Sequence, residues 1–208
     1  MLIGLTRICF TGRWMMQPTF YLNIVPVMLF FVMIMDYMNT LPTSIKNPVT
    51  EVIYQRPSLQ QVEVLRTFFQ RSLEKNFHYF PIEAHAQYAR AWQKDALEVR
   101  IRANNDLLLC AWVKNKLAGL VSGTAPEGGV ATIIWLMVDP EFQNNKIGSA
   151  LLTHAKNYYQ SLGAHKLKLT VQDKRAASFY EREGLHVECM HQNHWWNLDF
   201  WAMACFLD

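Results

Sequence analysis

One segment restricts this chain more than any other: Ala131 to Leu152, where an apolar run ends at Asp139-Pro140, a short polar turn follows, and an amphipathic helix opens on Gly148. The run Ala131–Val138, ATIIWLMV, has the length and β-branched content of a strand buried on both faces. Helical spacing then takes over, with Ile147, Leu151, Leu152, Ala155, Tyr159 and Leu162 on one face and Gly163 at the C-cap. Leu167, Leu169 and Val171 next alternate with Lys166, Lys168 and Thr170 at the period of a strand. A strand, a helix and a second strand at this separation predict a parallel pair joined by a crossover. The helix start also aims unpaired backbone N–H groups and a positive dipole end at one point, which is a site for a phosphate or pyrophosphate.

The next segment completes a second signature. Asp173 is an N-cap for a helix reading KRAASFYERE, and Gly184 is its C′ residue. DPEFQNNKIGSALL followed by LKLTVQDKRAASFYEREGL resembles the acetyl-coenzyme A binding core of the GNAT superfamily of acyl-CoA N-acyltransferases. Gln143 and Gly148 match the family's Q/R-x-x-G-x-G/A turn, with Lys146 where the first glycine is usual. Ala176, Phe179, Tyr180, Glu181, Gly184 and Leu185 match its later signature, with Asp173 in place of an Asn. The motifs lie between about Ala131 and Leu185, and the order of elements extends the likeness from about Val52 through Leu207.

The resemblance implies an α/β (α+β) fold with a mixed central sheet of about six or seven strands flanked by about four helices. It further implies that backbone N–H groups of Asn144, Asn145, Lys146, Ile147, Gly148 and Ser149 hold a pyrophosphate, with Gln143 among the cofactor-binding residues. The pantetheine arm would run along Leu136, Met137 and Val138 between splayed fourth and fifth strands, with Asp173 and Ala176 beside the cofactor. Tyr180 takes the position of the general acid that protonates the departing thiolate; set against this, a mid-helix Tyr beside a sheet is also an ordinary core residue. The implied function is transfer of an acetyl group from acetyl-CoA directly to an amine of a small molecule or peptide. The alternative is a degenerate CoA-binding or interaction module, anchored in a membrane or not.

The general base is not evident. Family members place a carboxylate near the end of the fourth strand, where this chain has Ile134 and Trp135; Glu127, Asp139, Glu188 and His194 are substitutes that the sequence does not rank. His186, Cys189, His191 and His194 match no common zinc spacing, so no metal is expected. Trp92, Trp135, Trp195, Trp196 and Trp201 are either core or the lining of an apolar acceptor pocket.

Elsewhere, Val52–Arg56 reads as a first strand, and Ser58 with Gln61 as a capping box before a helix bearing Leu59, Val62, Leu65, Phe69 and Leu73. Pro81 opens a second helix running to about Arg102; Leu107–Val113 and Leu117–Gly123 are strands around a Lys114-Asn115-Lys116 turn; Val187–Met190 and Asn197–Leu207 form a closing pair. A net charge of +3 with scattered basic residues gives no nucleic-acid stripe, and four unpatterned cysteines predict free thiols.

The domain layout is an apolar segment 1–38, a linker 39–50 with Pro42 and Pro48, and an acyltransferase domain 51–208. Segment 1–38 holds seven of the ten methionines, and Thr19–Met35 is 17 residues without a charge, interrupted by Asn23 and Pro26. A membrane anchor there would, by the positive-inside tendency of Arg7 and Arg13 against Asp36, export the remainder away from acetyl-CoA, so a tail outside the fold in a cytoplasmic enzyme is the favoured reading. The oligomeric state is open, a homodimer included.

Overall fold

The computed structural model describes residues 51–103 and 106–207, all within a compact unit that starts at Pro48. The readings of segment 1–38 and of the linker 39–50 lie outside the described residues. Among the described residues, no helix is long and apolar enough to cross a membrane.

Strand β1 (Ile53–Gln55) leads through a turn at Leu59–Gln61 into helix α1 (Val62–Asn76), α2 (Ile82–Ala91) and α3 (Lys94–Ala103). Strands β2 (Leu107–Val113), β3 (Lys116–Gly123) and β4 (Val130–Val138) follow, then α4 (Ile147–Ser161), β5 (Lys166–Val171), α5 (Lys174–Arg182), β6 (His186–His191) and β7 (Phe200–Phe206). They form one seven-stranded mixed sheet in the order β1-β2-β3-β4-β5-β7-β6, in which β4 and β5 are the parallel pair. The expected order of elements is present apart from one additional helix before β2, and β7 lies between β5 and β6 in the sheet.

Local chemistry explains most boundaries. The Ser58 backbone N–H donates to Gln61 Oε1 at 2.8 Å, Asp173 Oδ1 caps α5 by accepting from Arg175 N–H at 2.9 Å, and Gly163 (φ 76) and Gly184 (φ 87) stop α4 and α5 in left-handed conformation. The segment from Pro81 to Arg102, read as one helix, is two. Trp92 leaves the helical path (φ −112, ψ 20) and stacks on Phe69 with ring centroids 4.0 Å apart, and α3 restarts at Lys94 and buries Leu97.

Two apolar layers cover the sheet. On one face α4 packs Ile147, Leu151, Leu152, Ala155 and Tyr159 against Ala118, Val121, Ala131, Ile133, Leu167 and Leu169, and α5 adds Tyr180. On the other face α1 to α3 pack Leu65, Phe69, Leu73, Ala84, Trp92 and Leu97 against Leu108, Leu120, Trp135 and Met137.

Strand β4 changes face part-way along. Its register with β3 pairs Ser122 with Trp135 but Gly123 with Ile133, so one residue is inserted around Ile134, a β-bulge. Ala131 and Ile133 therefore face α4, while Trp135 and Met137 face α1. This corrects the expectation of a strand buried on both faces: Ile134 is 47% exposed, and the apolar run is two short alternating strands of opposite phase. Gly123 is required opposite the bulge, because a Cβ there would collide with Thr132 O and Tyr159 Oη. Gly123→Ala should cost about 2–4 kcal/mol in urea unfolding, as overpacking of rigid backbone does; a loss below about 0.5 kcal/mol would contradict this packing.

Candidate active site

Strands β4 and β5 pair in parallel only at Val130–Lys166, Ala131–Leu167 and Thr132–Lys168. Beyond Thr132 the ladder stops while both strands continue, so they splay. The backbone facing the gap can be read from the opposite edge: Asp139 N–H donates to Ala118 O of β3 at 2.9 Å. Strand alternation then turns the N–H groups of Val138 and Leu136 away from β3 and toward the gap. The Val138 carbonyl is occupied by Gln143 Nε2, which donates to it at 3.3 Å.

A cavity of about 680 Å³ occupies this splay. Ile133 and Leu136 of β4, Leu169 and Val171 of β5, and Asp173, Ala176 and Tyr180 of the α5 segment line one part. Phe77, Tyr79 and Phe80 before α2, Tyr88 on α2, Trp135 on β4, and His194, Trp195, Trp196 and Phe200 at the β6–β7 connection line the other. Since Tyr180 belongs to the α4/α5 layer and Phe80, Trp135 and Phe200 to the α1–α3 layer, the cavity passes through the sheet from one face to the other.

At the end of β4 the turn Gln143–Lys146 delivers α4. Asn144 (φ 65) and Lys146 (φ 59) both lie in the left-handed region, which shows why glycine suits the Lys146 position. Lys146 makes no side-chain cap, and the first α4 hydrogen bond runs from Ala150 N–H to Lys146 O at 3.0 Å. The N–H groups of Ile147, Gly148 and Ser149 precede that bond and so have no partner within the helix. Ser149 Oγ is engaged elsewhere, donating to Glu183 Oε1 at 2.5 Å, while Asn145 Nδ2 donates to the carbonyls of Phe142 (3.1 Å) and Gln143 (3.2 Å). A Cβ on Gly148 would meet Phe179 at 3.4 Å and Val138 at 3.6 Å, ordinary contacts, so internal packing does not demand glycine.

The structure thus gathers Leu136, Asp173, Ala176 and Tyr180 around the cavity, whereas Gln143–Ser149, a turn exposed at Gln143, Asn144 and Lys146 together with the first residues of α4, lie beyond the end of β4 and outside the cavity lining. The Met137 and Ile147 side chains are buried in opposite core layers. Burial raises the Tyr180 phenol pKa above its usual value, with Tyr79 as a secondary cause; that of Tyr79 is raised by burial and then by Asp173 and Tyr88. Phe77, Tyr79 and Tyr88 are cavity residues that sequence reading passed over, although FHYFP before α2 is a dense aromatic cluster.

Of the substitutes for a strand-four base, His194 alone lines the cavity. Asp139 is paired with Arg71 and accepts from Glu141 N–H at 3.0 Å; Glu188 pairs with Lys166 at 2.6 Å; Glu127 forms an isolated bridge with Val130. Cys189 Sγ lies 3.8 Å from His191 Nε2, yet among the described residues no three His, Cys, Asp or Glu converge on a metal-sized point. Cys110, Cys189 and Cys205 are free. Trp135, Trp195 and Trp196 line the cavity, while Trp92 is core and Trp201 packs on the α4 side.

With this geometry in place, sequence comparison gives the class. The Acetyltransferase (GNAT) family matches residues 67–185, and the chain belongs to that family. Solved structures share the fold. The PaiA N-acetyltransferase of Thermoplasma acidophilum, in complex with coenzyme A, is 22% identical, with a TM-score of 0.64 over 76% of this chain and 99% of that one. A GNAT-family acetyltransferase from Streptococcus pneumoniae is 20% identical, with a TM-score of 0.62 over 76% and 100%. The ribosomal-protein-S18-alanine N-acetyltransferase of Escherichia coli is also 20% identical, with a TM-score of 0.58 over 76% and 95%. No curated protein sequence matches.

The buried phenols set an alkaline limit. A group whose folded pKa is raised contributes stability that is complete below its unfolded value, about 10 for Tyr, and is lost as pH rises toward the folded value. Burial raises Tyr79, Tyr159 and Tyr180 alike. The melting temperature should therefore hold to about pH 9 and fall steeply above about pH 10. Tyrosinate absorbance near pH 10 in folded protein that accounted for all eight tyrosines would refute this.

Proposed function

We propose that the chain is an acetyl-CoA-dependent N-acetyltransferase that passes an acetyl group directly to an amine of a small molecule or peptide. The observation that carries this reading is the splay of β4 from β5, which opens a cavity through the sheet lined by Tyr180, with an uncapped helix N-terminus beyond the end of β4. Acetyl-CoA supplies an activated acyl thioester.

The residues present fit that ligand. The N–H groups of Ile147, Gly148 and Ser149, together with the positive end of α4, suit a diphosphate. Gly148 has no packing reason to lack a Cβ, and close approach of a phosphate provides one. Lys146, exposed at the turn, adds a point charge for the phosphates. The N–H groups of Leu136 and Val138, directed into the gap, suit an amide-bearing arm and the acyl oxygen, where they stabilise negative charge as it develops.

Tyr180 holds its proton throughout the physiological range, because burial disfavours phenolate. The same burial disfavours a departing thiolate, so the phenol donates to sulfur inside a site that raises both pKa values. No covalent acyl-enzyme is needed: Cys110 and Cys205 are buried, and Cys189 lies on β6 outside the cavity lining. We place the reaction in the cytoplasm, where acetyl-CoA is available, with residues 1–38 as a tail.

Calorimetry with acetyl-CoA, followed by a thiol-release assay over a panel of amines, tests the reading. Binding with release supports it; binding without release for any amine favours a CoA-binding module, and no binding sinks both. Gly148→Glu, which places a carboxylate at the phosphate position, should weaken acetyl-CoA at least about 100-fold while the fold is retained. Tyr180→Phe should lower kcat by about 10²-fold or more with little change in acetyl-CoA affinity; unaltered turnover would remove Tyr180 from the mechanism.

A further inference from the structure

The acceptor end of the cavity has a composition of its own. The α4 N-terminus and Tyr180 lie on the α4/α5 face of the sheet, so a donor held there leaves the α1–α3 face for the acceptor. That end is walled by rings set at right angles: Tyr88 against Trp135 at 5.0 Å and 84°, and Phe77 against Trp135 at 5.4 Å and 87°. Trp196 Nε1 donates to Tyr88 Oη at 3.1 Å, which ties the β6–β7 connection to α2 and makes one wall of two distant segments. Trp196 does so from a left-handed conformation (φ 61), a costly one for a bulky aromatic.

Charge is sparse. Among the described residues Asp173 is the one carboxylate of the cavity lining, its Oδ1 caps α5, and no Lys, Arg or Glu reaches the lining. A polycation such as a polyamine or an aminoglycoside needs several carboxylates to replace its hydration, and the lining has one; an anionic acceptor would meet no Lys or Arg, His194 being the one basic side chain of the lining. A flat apolar body, by contrast, stacks on one ring while its edge meets another.

We propose that the acceptor is a small arylalkylamine, a single amine on an aromatic body, and that Tyr88 and Trp196 determine this specificity. The inference rests on the acetyltransferase reading above. At saturating acetyl-CoA, product formation from phenethylamine and tryptamine is compared with that from spermidine and kanamycin, the expectation being kcat/KM higher by about 100-fold for the arylalkylamines. Trp196→Ala and Tyr88→Leu should each raise the arylalkylamine KM by about tenfold or more, while calorimetric acetyl-CoA affinity, which also reports an intact fold, stays unchanged. Should one variant fail to fold, the other and the substrate comparison still decide. Preference for spermidine or kanamycin, an unmoved KM in a folded variant, or acetyl-CoA binding with no arylalkylamine turnover would each overturn the inference. Failure to bind acetyl-CoA, or binding without thiol release for any amine of the wider panel, would overturn the underlying reading as well.

Discussion

A single inserted residue in β4 governs the geometry of this domain. The bulge around Ile134 moves Trp135 and Met137 to the α1 side and turns the strand away from β5 after three paired positions. Closing the gap would restore ladder hydrogen bonds, but Trp135 would have to leave the cluster it forms with Phe69, Phe77 and Tyr88. The splay persists because that aromatic packing opposes closure. It also leaves the N–H groups of Leu136 and Val138 without a strand partner, and a buried donor left unpaired costs about 1–3 kcal/mol. Such a gap is stable when water or a ligand fills it, which makes an amide-rich arm a natural occupant.

The helical layer on the far face holds this arrangement in position. Phe69 stacks on Trp92 and meets Trp135 edge-on at 5.2 Å, so the break between α2 and α3, the middle of α1 and the bulged strand share one cluster. Arg71 of α1 pairs with Asp139 just past the end of β4, fixing the point from which the turn to α4 departs. The cavity is thus bounded by elements whose rotamers are set by the core, and preorganisation of that kind limits the ordering cost of binding.

The sequence carried the periodic parts of this fold plainly. The α4 stripe, the β5 alternation and the caps at Asp173, Gly163 and Gly184 are local chemistry, and they appear where they were expected. Two features were hidden for a physical reason. Periodicity assigns a continuous apolar run such as Ala131–Val138 to burial on both faces, whereas a bulge produces the same run from two half-strands facing opposite ways. The break at Trp92 was equally silent, because the residues around it are good helix formers and the interruption comes from a tertiary stack on Phe69. In the site, Asp173, Ala176 and Tyr180 could be marked from the motif. Tyr79, Tyr88 and Phe77 could not, since aromatic residues before and within a helix look like core until the fold places them at a gap.

The missing strand-four carboxylate and the aromatic acceptor wall are connected by one electrostatic argument. An amine attacks only as the free base, and an enzyme that binds a hydrated ammonium must remove its proton inside the site. A cavity lined by Trp135, Trp196, Tyr88 and Phe77 strips hydration from an entering amine and so lowers its pKa, which favours entry of the neutral form. A carboxylate at Ile134 would do the opposite, stabilising the ammonium through a strong ion pair. With an apolar wall the first proton of the proposed amine acceptor leaves to bulk water before binding. In the proposed reaction, the apolar Ile134 and Trp135 at the family's carboxylate position and the rings of the same cavity are then two parts of one device.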